Sequence, residues 1–286
     1  MITSRAYLCI DAGGTFFKYT AFDEKDNQLF PVSAVPANSE GTLTDILSVY
    51  EKIYNEVSEN FEVCRIGIAT PGPFDYINKT SLMKHKFKSI YGVNLENEIQ
   101  KTLSKDIPVM FMSDTNAFLK GAYDGNDICI GITIGTGLGI AISKDGELVT
   151  NQYGGPIEVI YNKQIDGTHI AEDYVSRKGI SRAYEELGGN SGCSPKDISD
   201  FARKGDEKAC KVYDYMGKVL GIALKDIVLK YNAKVIYLGG QISKSVDLFA
   251  DSVKKEINTS TEIMVAENSD IAALLGIYRE LCSETY

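Results

Sequence analysis

The sequence predicts an α/β protein made of two similarly built halves, and three observations carry that expectation. An apolar run, a glycine-bearing turn and a second apolar run occur twice, from Tyr7 into the run that begins at Phe16 and from Ile128 to Ser143. Each pair is followed by segments that switch between the 3.6-residue period of a helix and short β-branched runs. Two strand-like runs end in Thr70-Pro71-Gly72-Pro73 and Leu238-Gly239-Gly240. Such clusters place loops at the C-terminal ends of strands, the edge where ligands settle in α/β sheets. A duplication on this scale implies two α/β domains facing a cleft.

In the first half, strands are predicted at about 5–10 and 16–22, with Asp23 to Asn27 as a charged turn. Between the strands lies Asp11-Ala12-Gly13-Gly14-Thr15. Read alone it has two interpretations. It is either a structural hairpin turn, or a turn whose glycines admit positive φ and close approach to the backbone, whose N–H groups cradle a phosphate, and whose carboxylate holds a cation directly or through water. Leu43, Ile46, Leu47, Tyr50, Ile53, Tyr54 and Val57 then mark one helical face, with Thr42 and Asp45 as a capping box. A strand at 63–70, a helix at 95–103 and a strand at 109–112 follow, leading into Ser113-Asp114-Thr115-Asn116 and a helix to Tyr123. Asp114 also has two readings. Asp or Asn at a helix start serves as an N-cap, which local sequence favours; the same carboxylate aimed into a cleft would be a general base.

The second half opens with a strand at 128–134, the turn Gly135-Thr136-Gly137-Leu138-Gly139 and a strand at 140–143. Asp145-Gly146 is a two-residue hairpin turn. Residues 147–170 lack periodicity and read as loop with short strands; 170–187 read as one helix. Ser194-Pro195 supplies a cap and a first-turn proline. A long amphipathic helix from 206 to 230 feeds a strand at 235–238, and helices near 245–257 and 271–281 close the chain.

Composition narrows the function classes. The chain has 286 residues, 44% hydrophobic and 24% charged, enough for one large or two medium cores. A net charge of −9 without a basic run argues against nucleic-acid binding. No apolar run approaches a bilayer span, and the N-terminus lacks a signal-peptide pattern, so a cytoplasmic protein without membrane association is expected. Six cysteines (Cys9, Cys64, Cys129, Cys193, Cys210, Cys282) form no Cys-x-x-Cys pair and read as reduced, buried thiols.

Taken together, the motifs resemble the ROK family of the sugar kinase, Hsp70 and actin superfamily, over almost the whole chain. The resemblance rests on Asp11-Ala12-Gly13-Gly14-Thr15 and Gly135-Thr136-Gly137-Leu138-Gly139 as two phosphate motifs. It rests also on Thr70-Pro71-Gly72-Pro73, Ser113-Asp114-Thr115-Asn116, and Leu238-Gly239-Gly240 as the adenosine-side motif. It implies two actin-like (ribonuclease H-like) domains with an interdomain cleft, over 1–116 and 117–269, leaving a C-terminal helix at about 270–286 free to pack back on the first. It implies ATP-dependent phosphorylation of a hexose or N-acetylhexosamine, with a small-molecule sugar and ATP as its partners. Asp114 would be the general base, Gly13, Gly14, Thr15, Gly135, Thr136 and Gly137 would hold the triphosphate, and Gly239 and Gly240 would bear the nucleotide. Asp11 would position magnesium, possibly through water. Gly72, Ser113, Glu158 and Glu172 would face the sugar, and a homodimer through the C-terminal domain is within the family pattern.

Departures from that pattern are specific. Where many members carry a Gly-Glu-x-Gly-His element and a cysteine-rich zinc motif, this chain has Gly155-Pro156-Ile157-Glu158-Val159 and no cysteine between Cys129 and Cys193, so a zinc-less member is expected. His169 is expected as a surface or pocket residue. Glu158 enters the sugar set only with a two-residue shift, and Glu172 is equally readable as a solvated first-turn glutamate. Ser113 replaces an asparagine, and Phe16 a lysine for which Lys18, on the same strand face, is the substitute. These losses keep open a second reading, a catalytically weak sugar- or nucleotide-binding regulator of the same fold. A third, an ATPase that activates a partner enzyme, lacks a cysteine cluster site.

Overall fold

The opening hairpin forms where the pattern puts it: β1 (Arg5–Ala12) pairs antiparallel with β2 (Phe16–Phe22). The computed structural model describes residues 4–84, 86–123, 125 and 127–283. The chain divides into two units, one comprising Met1–Gly121, Thr150–Pro156 and Ile271–Tyr286, the other Ala122–Val149 and Ile157–Asp270. The first unit therefore takes in residues 117–121 and 150–156 as well as the closing helix, because the helix that begins at Asp114 runs on without a break.

In the first unit, β3 (Gln28–Pro36) extends the sheet beyond β2. This strand escapes the sequence pattern because it lies at the sheet edge, is largely solvent-facing and carries prolines at 31 and 36. The helix α1 (Leu43–Ser58) starts at Thr42, whose hydroxyl accepts from the Asp45 N–H at 3.2 Å while the Asp45 carboxylate accepts from the Thr42 N–H at 2.8 Å. Then come β4 (Glu62–Thr70), the short pair β5 (Phe74–Asp75) and β6 (Thr80–Ser81), α2 (Leu95–Leu103), β7 (Val109–Ser113) and α3 (Asp114–Ala122). Strand order is β3-β2-β1-β4-β7, with β1, β4 and β7 parallel. Leu8, Cys9 and Ile10 are buried in succession, so both faces of β1 are covered.

The second unit repeats that plan. Strands β8 (Cys129–Ile134), β9 (Leu138–Lys144) and β10 (Glu147–Leu148) form the antiparallel part. Helices α4 (Arg177–Glu186), α5 (Pro195–Arg203) and α6 (Glu207–Tyr231) precede β11 (Val235–Gly239), and α7 (Ala250–Ile257) precedes β12 (Glu262–Val265). The order β10-β9-β8-β11-β12, with β8, β11 and β12 parallel, matches the first sheet position for position. The helix expected at 170–187 is instead a 3-10 turn at Ala171–Asp173 and α4. The extended backbone of Ser176 breaks the run, and its hydroxyl caps α4 through the Gly179 N–H. The strand β12 is only four residues long, too short for a periodic signal.

The chain returns to the first unit with α8 (Ala272–Ser283). It packs on α3 through two glycines: a Cβ on Gly121 would collide with the Ala272 carbonyl, and one on Gly276 with the Ala117 carbonyl. Arg279 donates to the Lys120 carbonyl at 2.7 Å, and Lys120 pairs with Glu280. The described cysteines are all free, but Cys210 and Cys282 are exposed, against the expectation of burial: both sit on outward positions of helices. No described helix is long and apolar enough to cross a membrane.

Candidate active site

Asp11 sits near the end of β1, opposite Lys18 on β2 and Ala69 on β4. Its carboxyl is pushed up to about 6, first by burial and then by the charge of Asp114, with Lys18 pulling the other way. Asp11 thus feels the charge of Asp114 from the end of a parallel strand of the same unit. The turn that follows is closed by the Gly13 N–H on the Asp11 carbonyl at 3.1 Å. Neither Gly13 nor Gly14 adopts positive φ, and only Gly13 is required by space. A Cβ on Gly13 would stand 2.9 Å from the Phe16 carbonyl, whereas the corresponding direction from Gly14 is open up to Lys86 Cδ at 4.0 Å. Gly14 and Thr15 are exposed, as is Phe16.

Asp114 is the first residue of α3, directly after β7. Its Oδ1 accepts from the Thr115 N–H at 2.8 Å and lies 3.4 Å from Ser113 Oγ and 3.3 Å from Thr115 Oγ1. Oδ2 has no hydrogen bond of this kind among the described residues. One carboxylate oxygen is thus tied to the main chain at the start of α3, and the other accepts no hydrogen bond among the described residues.

Sequence reasoning missed Tyr76. This buried tyrosine donates to the Thr70 carbonyl at 3.0 Å, and its hydroxyl lies 3.6 Å from where a Gly72 Cβ would be. Burial, and then the charge of Asp114, push its phenol up, while a hydrogen bond with Ser113 acts against them. Tyr76 thereby joins the Gly72 loop to the Ser113-Asp114 strand end. A lone tyrosine after Pro-Phe-Asp carries no sequence signal of this. Asn116 is 1% exposed, donates weakly to the Gly154 carbonyl at 3.5 Å, and leaves Oδ1 without a hydrogen-bond partner among the described residues.

In the second unit, the Gly135 N–H closes the turn on the Gly137 carbonyl at 3.0 Å, and the Gly135 carbonyl accepts from the Arg177 N–H at 2.8 Å. Nothing lies within 4 Å of where a Gly135 Cβ would be, and Thr136 and Gly137 are exposed. Gly239 ends β11 in register with Thr133, and Gly240 follows with φ +83°. A Cβ on Gly240 would collide with the Ile134 carbonyl, so the end of β11 lies against the end of β8 as bare backbone. Glu172 accepts from the Leu138 N–H at 2.9 Å through Oε2.

Glu158 also lies in the second unit, with Oε1 committed to Lys230 Nζ at 2.6 Å and the Tyr231 hydroxyl at 2.9 Å. Burial raises its pKa, but these hydrogen bonds outweigh that and hold the carboxyl below its usual range. His169 is half-exposed beside Asp166, whose carboxylate accepts from the Tyr174 hydroxyl at 2.7 Å and from the His169 and Thr168 N–H groups at 2.8 and 3.0 Å. Among the described residues no three His, Cys, Asp or Glu side chains are grouped to hold a metal.

Comparison with known proteins bears on family and fold. A glucokinase of Thermotoga maritima is 25% identical over 275 residues, covering 87% of this chain and 86% of its own. An N-acetyl-D-glucosamine kinase of Haemophilus influenzae is 22% identical over 268 residues, covering 83% and 84%. The solved structure of a ROK family glucokinase from Streptomyces griseus, in complex with glucose and AMPPNP, superposes with a TM-score of 0.80 at 21% identity, covering 96% and 98%. The fold is thus the actin-like fold of the ROK sugar kinases. The ROK family model matches residues 7–276, and the chain belongs to the ROK family.

Proposed function

We propose that this protein is a sugar kinase that transfers the terminal phosphoryl group of ATP to a hydroxyl of a hexose or N-acetylhexosamine. The observation that carries the reading is the Oδ2 of Asp114, which accepts no hydrogen bond among the described residues, at the end of a parallel strand in the same unit as Asp11 and its glycine turn. Family membership and relatives named as glucokinase and N-acetylglucosamine kinase support the reaction class.

In this mechanism Asp114 Oδ2 accepts the proton of the attacking hydroxyl as its oxygen bonds to the γ-phosphorus and the bond from that phosphorus to the bridging oxygen breaks. Oδ1, held by the Thr115 N–H, fixes the carboxylate in place. Ser113 and the Gly72 loop face the sugar, and Tyr76 keeps them together. Gly14 and Thr15 would offer N–H groups to the triphosphate from the turn that the Gly13 N–H closes, as would Thr136 and Gly137 from the turn that the Gly135 N–H closes, with Gly239 and Gly240 as the bare surface for the nucleoside. The open directions at Gly14 and Gly135 fit such a ligand. Asp11 fits magnesium, since a carboxylate whose proton affinity is raised by burial and by the nearby charge of Asp114 is relieved by a divalent cation. Magnesium, when bound, neutralises charge on the transferred group.

The test is ADP release with glucose, fructose, mannose, N-acetylglucosamine and N-acetylmannosamine, for the native protein and Asp114→Asn. Turnover on at least one sugar is expected, with a loss of at least about 10²-fold in the variant. Equal rates in a folded variant would remove Asp114 from the base role, and sugar binding without turnover on any substrate would favour a regulator.

A further inference from the structure

We propose that Lys86 is a phosphate-binding residue whose ammonium group pairs, at the first glycine turn, with an oxygen of the phosphoryl group that is transferred. The inference rests on the kinase reading above, and every residue it uses belongs to the first unit.

The turn Asp11-Ala12-Gly13-Gly14-Thr15 offers main chain and a carboxylate but no cation of its own. Gly14 and Thr15 are exposed, and what stands in the direction a Gly14 Cβ would take is Lys86 Cδ, at 4.0 Å. The apolar stem of this half-buried lysine is thus laid on the turn, and its ammonium group lies two bonds further out. A phosphate on the Gly14 and Thr15 N–H groups carries charge of the same sign as Asp11, so the site calls for a cation. Lys18 faces Asp11 across the β1–β2 pair and acts on that carboxyl. Lys86 adds a second positive charge and up to three N–H donors on the side of Gly14. Asp11, which opens the turn, feels the charge of Asp114, the base of the reaction. The phosphoryl group held here is therefore the one that meets the attacking hydroxyl.

The segment that carries Lys86 is tied back to the same turn. The Thr15 carbonyl accepts from the Ala37 N–H at 3.0 Å, the Ser39 carbonyl accepts from the Phe87 N–H at 3.1 Å, and Ser89 Oγ donates to the Gly41 carbonyl at 2.7 Å. The Phe87 ring is buried, 6.1 Å from the ring of Phe17 on β2. Phe87 takes φ +49° and ψ +39°, a left-handed conformation that a bulky side chain rarely adopts and that persists only where its surroundings impose it. Here they hold the ring in the core and the N–H on Ser39, and the residue before it comes to lie over Gly14. Lys84, by contrast, stands over the Tyr91 ring at 4.9 Å, and Lys88 is exposed.

The test is calorimetric titration of AMPPNP and, separately, of ADP, each with magnesium, into the native protein, Lys86→Met and Lys86→Arg. Lys86→Met keeps the stem and removes the charge. It should lose about tenfold in AMPPNP affinity and stay within about twofold of native for ADP, which lacks the transferred group. Lys86→Arg keeps the charge and should bind AMPPNP within about threefold of native. Added salt should weaken AMPPNP binding more in the native protein than in Lys86→Met. Native-like AMPPNP binding by Lys86→Met would remove Lys86 from the site, and an equal loss for both nucleotides would overturn its assignment to the transferred group. Either result, with sugar turnover by the native protein, would leave the kinase reading standing. A native protein that binds neither nucleotide would overturn that reading and the proposal with it.

Discussion

Replacing Asp11 by asparagine should make the ligand-free protein more stable at neutral pH. The Asp11 carboxyl is raised from an ordinary 3.8 to about 6. A shift of about two pH units corresponds to roughly 3 kcal/mol of preference for the protonated form, at about 1.4 kcal/mol per unit. The residue is only half-buried, so solvent screening makes this a ceiling, and about 1–3 kcal/mol is the expected gain. The sign follows from linkage: a folded-state pKa above the unfolded one gives stability that is fully present below about pH 4 and lost as pH rises through about 6. The advantage of Asp11→Asn should therefore open between pH 4 and 6 and be complete by pH 8. Thermal unfolding in metal-free buffer should show a midpoint about 2–10 °C above native at pH 8, converging near pH 4. Magnesium should narrow the gap by stabilising only the native protein. A variant no more stable than native at pH 8, or a gap independent of pH, would refute the account of Asp11 as a carboxylate held under electrostatic strain.

Gly121→Ala should destabilise the first unit by about 3 kcal/mol or more, because its methyl group meets main chain that cannot retreat without separating α3 from α8; native-like thermal stability would contradict that packing. Glu158→Gln should leave the sugar KM within about twofold, since the native carboxylate is committed to Lys230 and Tyr231. A rise of about tenfold or more would place it on the sugar instead. Elemental analysis of the purified protein should find no stoichiometric zinc, and bound zinc at one equivalent would overturn the zinc-less reading.

Much of the fold was legible because its signals are local. Glycine turns between apolar runs, the Thr42-Asp45 capping box and the Ser194-Pro195 start each declare themselves within a few residues. The edge strand β3 was not legible, since a solvent-facing strand with two prolines loses both alternation and propensity. At the site, Asp11, Asp114 and the two turns follow from position at strand ends. Tyr76 and the Glu172 contact do not, because each depends on a contact between segments far apart in sequence: Tyr76 with Ser113, and Glu172 with Leu138. The expectation that the turn glycines supply positive φ is revised: Gly13, Gly14, Gly135 and Gly137 all keep negative φ, and a Cβ would be crowded only at Gly13 and Gly137.

The glycine-to-glycine seat between α3 and α8 has a consequence for biosynthesis. The helix that begins with Asp114 ends at residue 122, and its counterpart begins at 272, so 149 residues must leave the ribosome between the two. Until then α3, with Asp114 at its start, lacks the helix it packs against. The second unit, complete in sequence by Asp270, is free to fold first.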